Sequence, residues 1–179
     1  MKKVLFVIVL LIFICFPCFA GIDVKFTPSK QCEETIVGFI DDSKETIDVA
    51  VYSINNDKIV EALKNAHNRG VKLRILTDRL QASSKSSKVI DLYEYGVNIR
   101  VNSKYKIEHN KFAIYDKKIV STGSFNWTNP ASDKNSENCL FLEKNYNAIN
   151  KYVARFEQLW RMNTKTNSEK WFKDKEITR

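Results

Sequence analysis

Residues 46–78, TIDVAVYSINNDKIVEALKNAHNRGVKLRILTD, decide the fold. The opening TIDVAVYSI is apolar almost throughout, as expected of a strand covered on both faces. NNDKIVEALKNAHNRG reads as a helix with Asn56 as its N-cap and Gly70 ending it. VKLRILTD is then a second buried strand. A helix between two such strands makes a βαβ unit, which implies a parallel pair.

The flanking sequence extends this unit in both directions. Upstream, VKFTP is a short strand, and KQCEETIVGFIDDS is a helix with Ile36, Val37 and Ile40 on one face. Downstream come a helix in KSSKVIDLYEYG and a strand in VNIRV. KFAIYD and KIVSTG read as two short strands joined by a tight Asp-Lys-Lys turn, and NCLFLE is a further strand. The closing helix, YNAINKYVARFEQLWRM, places Ile149, Tyr152, Val153, Phe156, Leu159 and Trp160 at helical spacing. From Asn163 the chain is polar and is expected to fray. The sum is α/β: a mixed β-sheet sandwiched between helices, forming one domain over residues 21–179.

Residues 1–20 are of a different character. A positive MKK, an apolar VLFVIVLLIFICF and a PCFA ending in small residues have the layout of a secretory signal peptide cleaved after Ala20. A retained N-terminal membrane anchor is the alternative, although the apolar run is short for a span of about 20 residues. Cleavage predicts a secreted or periplasmic protein with no stable membrane insertion. Loss of Lys2 and Lys3 takes the net charge from +8 to +6. A basic domain suits a polyanionic partner, either nucleic acid or an anionic lipid surface. Only Cys32 and Cys139 remain after cleavage, and they either pair in an oxidising compartment or stay as two buried thiols. With two histidines in the whole chain, a zinc cluster is not expected.

The chemistry-bearing stretch is IEHNKFAIYDKKIVSTGSFN, residues 107–126, where His109, Lys111, Asp116, Gly123, Ser124 and Asn126 spell H-x-K-x4-D-x6-G-S-x-N. Singly, each has an ordinary explanation: a solvated histidine, a surface lysine, a Gly-Ser turn. Strand parity alters the reading. His109 and Lys111 are two apart and face the same way, while Phe112 and Ile114 take the other face. An imidazole beside an ammonium is a reasonable pair for handling phosphate.

This stretch resembles the HKD motif of the phospholipase D superfamily, most closely its small, secreted, single-motif bacterial endonucleases. NRGVKLRILTD and the later KNSEN share the likeness, which covers most of residues 24–160. The resemblance implies an α-β-α sandwich in which two motifs meet at one active site, with no cofactor and no metal. This chain carries one motif per chain. Its other histidine, His67, sits on the helix before Gly70 and reads as a surface residue. The second histidine is therefore expected from a second copy across a two-fold axis, making a homodimer.

The implied roles follow. One His109 attacks phosphorus and the other protonates the leaving oxygen, then activates water. Lys111 and Asn126 hold the non-bridging oxygens, and Ser124 joins them or orients a neighbour. Glu137 stands where the family places an acid that hydrogen-bonds the histidine ring. Asp116 points away from His109 by parity and is read as structural support for the motif. The family's paired cysteines near the N-terminus are not reproduced, since Cys32 stands alone there. Arg79, Lys85, Lys88, Lys104 and Lys106 are candidates to rim a substrate groove, and Trp127 either stacks on a base or packs in the core.

The expected function is a metal-independent phosphodiesterase, foremost a sequence-nonspecific endonuclease acting on DNA or RNA. A phospholipase D acting on phospholipid head groups is the alternative, and a non-catalytic nucleic-acid-binding protein the third reading. A phospholipase is expected to expose apolar loops, whereas the candidate rim reads as polar.

Overall fold

A computed structural model describes residues 21–176. The leader expectation on residues 1–20 therefore lies outside the described residues. In chain order the elements are β1 (Gly21–Phe26), α1 (Gln31–Asp42), β2 (Thr46–Val51), α2 (Asp57–Asn68), β3 (Lys72–Thr77), α3 (Arg79–Ala82), α4 (Val89–Glu94) and β4 (Asn98–Val101). They continue with β5 (Lys111–Tyr115), β6 (Ile119–Gly123), α5 (Asn129–Asp133), β7 (Asn138–Glu143), α6 (Tyr146–Met162) and α7 (Lys165–Glu176).

The strands form one mixed sheet in the order β1-β7-β6-β5-β2-β3-β4. β2, β3 and β4 are parallel, as the βαβ reading required, and every other neighbouring pair is antiparallel. The register aligns Ile47 with Leu73 and Val49 with Ile75, so alternate residues of β2 and β3 share a face. On one face Val49, Val51, Ile75, Ala113 and Phe141 pack with Ile36 and Ile40 of α1 and Ile59 and Leu63 of α2. On the other, Ala50, Leu76, Phe112, Ile114 and Val120 pack with Ile149, Phe156, Leu159 and Trp160 of α6. Two cores separated by one sheet make the expected sandwich.

Asn56 caps α2, its side chain accepting the Ile59 N–H. The exception to the apolar run of β2 is Asp48, buried but accepting from Arg74 Nε at 2.6 Å and Nη2 at 2.8 Å. Of the two states open to the cysteines, the structure has the disulfide: Cys32–Cys139 ties α1 to β7. Beside it the buried Glu33 carboxylate accepts from Asn56 at 2.6 Å and Ser132 at 2.9 Å, and pairs with Lys58 at 3.0 Å. Burial pushes this carboxyl up, but those three partners outweigh it and hold it below the usual glutamate value.

The tail departs from expectation. Instead of fraying after Asn163, the chain forms α7, which lies along the edge strand β4. Its buried Phe172 stacks on Tyr93 with ring centroids 3.7 Å apart, and the Ser168 hydroxyl accepts the Val101 N–H. Trp171-Phe172 is a single apolar pair with no periodicity around it, so the helix gave no pattern in the sequence. The opposite edge strand β1 leaves Ile22, Val24 and Phe26 exposed.

At the far end of the β5–β6 hairpin, Asp116 accepts backbone N–H groups from Lys44, Glu45 and Thr46 at 2.8–2.9 Å. Burial pushes its carboxyl up, but the three backbone donors outweigh this and keep it below the ordinary aspartate value. Asp116→Ala should therefore lower stability by about 1–3 kcal/mol in urea unfolding at pH 7. Because the native carboxyl titrates lower than an unfolded aspartate, at about 3.9, the contribution is full above that pH. It should fade as the pH falls through the native value, so wild type and variant should converge in acid. A gap independent of pH would show that the carboxylate charge is not what matters.

Candidate active site at one edge of the sheet

The sheet has two ends, and strand direction assigns residues to each. β2, β3, β4, β6 and β1 finish at the same end at which β5 and β7 begin. His109 and Lys111 enter β5 there, Ser124 and Asn126 leave β6, Glu137 precedes β7 and Arg79 follows β3. Lys104 and Lys106 lie in the loop after β4. The motif residues thus converge on one end of the sheet, the edge formed by the strand termini, apart from Asp116, which anchors the opposite end and takes no place at the site. His67 also lies away from it, near the end of α2 against Tyr95.

His109 itself lies just before β5, not within it as strand parity assumed. Its ring meets the Tyr52 ring in a T-shaped contact, with centroids 4.8 Å apart. Lys111 returns to the same place: its Nζ lies 5.0 Å from the Tyr52 ring centre and donates to the His109 carbonyl at 2.7 Å. Histidine and lysine are side by side, though through Tyr52 and a backbone carbonyl. Burial pushes the Lys111 ammonium below the usual lysine value, against a smaller upward pull from Glu137 and Glu108.

The second half of the motif forms a turn that only glycine permits. Gly123 has φ 139°, and a Cβ there would sit 2.2 Å from the Asn138 carbonyl oxygen. The chain then presents Ser124, whose Oγ donates to Glu137 at 2.6 Å and accepts the Asn138 N–H at 3.0 Å. The other Glu137 oxygen accepts from Asn135 at 2.9 Å. Glu137 is thus fixed by Ser124 and Asn135, and among the described residues no hydrogen bond joins it to the His109 ring. Asn126 is half-buried, and its side-chain oxygen is buried with no hydrogen-bond partner, so the protein does not saturate this amide.

Of the two readings of Trp127, the structure has core packing, and its place among the substrate-binding residues falls away. Trp127 is 2 % exposed and therefore has no face to offer a base. Its N–H donates to the Ser53 carbonyl, and its carbonyl accepts from Asn55 and Asn56, so backbone pairing holds it in the core. The rim is also less polar than expected. Arg79, Lys85, Lys104 and Lys106 are exposed there, but so are Leu80 at 66 %, Ile107 at 46 % and Tyr105 at 42 %.

Sequence reasoning missed the groups behind the site. Buried Asp78 caps α3 by accepting the Leu80 and Gln81 N–H groups, and its second oxygen takes the Glu108 N–H at 3.0 Å. Glu108, also buried, accepts from the Asn110 side chain at 2.6 Å. Position was the available signal: Tyr52 and Asp78 directly follow two parallel strands, where α/β sheets place functional groups. Among the described residues no group of three or more His, Cys, Asp or Glu side chains is placed to hold a metal ion.

Residues 36–160 match the family described as cardiolipin synthase, PLD-like domain. A phospholipase D from Rickettsia prowazekii is 39% identical over 124 residues, which is 69% of this chain and 60% of that protein. A mitochondrial cardiolipin hydrolase from Chlamydomonas reinhardtii is 33% identical over 124 residues, 69% of this chain and 55% of its own length. The chain therefore spans roughly three fifths of the curated relatives it matches. Among solved structures, the phospholipase D family member Nuc from Salmonella typhimurium superposes with a TM-score of 0.77 at 27% identity, covering 82% of this chain and 97% of that one. NucT from Helicobacter pylori gives 0.73 at 25% identity, covering 79% and 96%. With a family match over most of its length and a single mixed sheet carrying the His-x-Lys pair at one end of its central strand, the chain belongs to the phospholipase D superfamily.

Proposed function

We propose that the protein is a phosphodiesterase that cuts nucleic acid with little sequence preference, at a site completed by a second copy of the chain. The observation that carries the reading is the placement of His109 and Lys111 on one aromatic ring, with Ser124 and Asn126 on the same edge. An imidazole nitrogen attacks phosphorus and the P–O bond to the leaving group breaks, giving a phosphohistidine. A protonated His109 from the second copy gives its proton to the departing oxygen, then takes one from the water that hydrolyses the P–N bond. Lys111 and the N–H groups of the Asn126 side chain meet the charge on the non-bridging oxygens.

Nucleic acid is favoured by the rim. Arg79, Lys85, Lys104 and Lys106 are exposed, and none forms an ion pair among the described residues. Such cations read a phosphate backbone and not its bases. The apolar leader and the Cys32–Cys139 disulfide support action in an oxidising compartment outside the cytoplasm. A second reading, hydrolysis of phospholipid, is favoured by exposed Leu80, Tyr105 and Ile107 on the same edge and by the names of the curated relatives. The two separate in one assay: mature protein in EDTA with plasmid DNA, RNA, phosphatidylcholine and cardiolipin side by side. Nicking of DNA or RNA is expected. Release of phosphatidic acid with both nucleic acids intact would replace the nuclease reading by the lipid one, and binding of DNA without turnover would leave neither.

Lys111→Ala and Asn126→Ala should each lower kcat by on the order of 10²–10³ while thermal unfolding is retained. Near-normal turnover in either would show that other groups hold the phosphate.

A composite site also makes a stoichiometric prediction. His109→Ala should abolish activity, and His67→Ala, away from the catalytic edge, should not. When wild-type and His109→Ala subunits exchange, a mixed dimer has a nucleophile or an acid but not both. Activity should therefore fall as the square of the wild-type fraction. A linear fall, or a fully active monomer by light scattering, would show that one histidine suffices.

A further inference from the structure

The proposed nucleophile and phosphate clamp share one support that the superfamily motif does not include. Tyr52 follows β2 directly, and its half-buried ring carries both groups: His109 edge-on at 4.8 Å and the Lys111 ammonium at 5.0 Å. The ring is held at both ends. Its hydroxyl accepts from the Gln81 side chain at 3.0 Å, and its backbone carbonyl accepts from the Thr77 hydroxyl at 3.3 Å. Gln81 belongs to the short α3 that Asp78 caps, and the same Asp78 carboxylate takes the N–H of Glu108, the residue before His109. One buried carboxylate therefore fixes both the approach to β5 and the residue that bonds the Tyr52 hydroxyl.

The arrangement meets a requirement that a carboxylate partner would not. An ammonium that must bind a phosphate has to be held without being neutralised. No carboxylate stands within ion-pair distance of Lys111 among the described residues; its contacts are the Tyr52 face and the His109 carbonyl. A ring face attracts the cation and leaves its charge for the incoming anion. The His109 ring is likewise oriented by aromatic contact, with both nitrogens left for chemistry and for an orienting partner.

We propose that Tyr52 is a positioning residue whose ring sets the relative placement of the His109 imidazole and the Lys111 ammonium. The role belongs to the ring, not to the hydroxyl. It rests on reading His109 as the nucleophile, and its test separates the two claims.

Tyr52→Phe, Tyr52→Leu and Gln81→Leu are compared with bis(p-nitrophenyl) phosphate, a small diester that does not span the basic rim. Misplacing a reacting group by about 1 Å costs up to roughly 10²-fold, so Tyr52→Leu should lower kcat by about 10- to 100-fold with KM within about two-fold. Tyr52→Phe and Gln81→Leu each remove the hydroxyl hydrogen bond and keep the ring, so both should stay within about three-fold of wild type. The second readout does not depend on turnover. The chain has two histidines, so the ring protons of His109 are readily told from those of His67 by NMR. Ring-current displacement of His109 should persist in Tyr52→Phe and vanish in Tyr52→Leu, while His67 beside Tyr95 is unchanged. Wild-type kcat in Tyr52→Leu, equal losses in the Phe and Leu variants, or an unmoved His109 signal in Tyr52→Leu would each overturn the assignment. Full activity of His109→Ala would instead remove the nucleophile, leaving the His109 signal to report on the Tyr52 contact alone.

Discussion

The candidate site depends on where β5 stops separating β2 from β6. β5 lies between β2 and β6 until its first residue, Lys111. Beyond that point the extensions of β2 and β6 meet each other: Ile54 and Trp127 form a parallel bridge, backed by Trp127 N–H to Ser53 and by Asn55 and Asn56 N–H to the Trp127 carbonyl. Two strands with a third between them are about 9.5 Å apart, and directly paired strands about half that. The chain before Lys111 therefore has no channel in the sheet plane, and His109 is carried out of it to lie on Tyr52. The burial of Trp127 and the exposure of His109 are two consequences of one backbone closure.

That closure is reinforced from the side. The segment after Trp127 runs into α5, where Ser132 bonds the buried Glu33, and Glu33 also holds Asn56, the cap of α2. The disulfide from Cys32 reaches Cys139, which pairs with Gly123 at the turn presenting Ser124. The loops after β2 and β6 and the start of β7 are thus tied to α1 by a carboxylate and a covalent bond on neighbouring residues, Cys32 and Glu33. Site loops built this way lose little conformational entropy when they engage a phosphate.

How much of this could be read in advance follows from which forces leave a sequence pattern. The βαβ unit was legible because burial on both faces of β2 and β3 demands apolar runs, and the hairpin because turn chemistry sits between them. The motif was legible as spacing, but its spatial logic was not. Parity placed His109 in a strand, whereas the Ile54–Trp127 bridge ends the pairing at Lys111. Glu137 was expected on the histidine ring and instead bonds Ser124 and Asn135, a choice set by a turn at Gly123 whose φ no periodicity reports. Helix α7 left no signal because it buries Phe172 on Tyr93 and otherwise supplies polar cover for the β4 edge. Tyr52 was hidden in the apolar run TIDVAVYSI that contains β2.

The aspartate at the other end of the motif gains its meaning from the same geometry. Asp116 stands five residues beyond Lys111, roughly 17 Å along an extended strand, too far to touch a reacting phosphate. What it does is bind the backbone where β2 begins, through Lys44, Glu45 and Thr46. β2 and β5 are antiparallel, with Ile47 opposite Tyr115 and Val51 opposite Lys111, so a clamp at the first pair sets the last. Slippage by one residue would turn every β5 side chain to the opposite face. Lys111 would leave Tyr52, and Phe112 would leave the core it shares with Tyr152. On the proposed reading two of the three motif residues, His109 and Lys111, act at the phosphate, and Asp116 fixes the register that brings the lysine there.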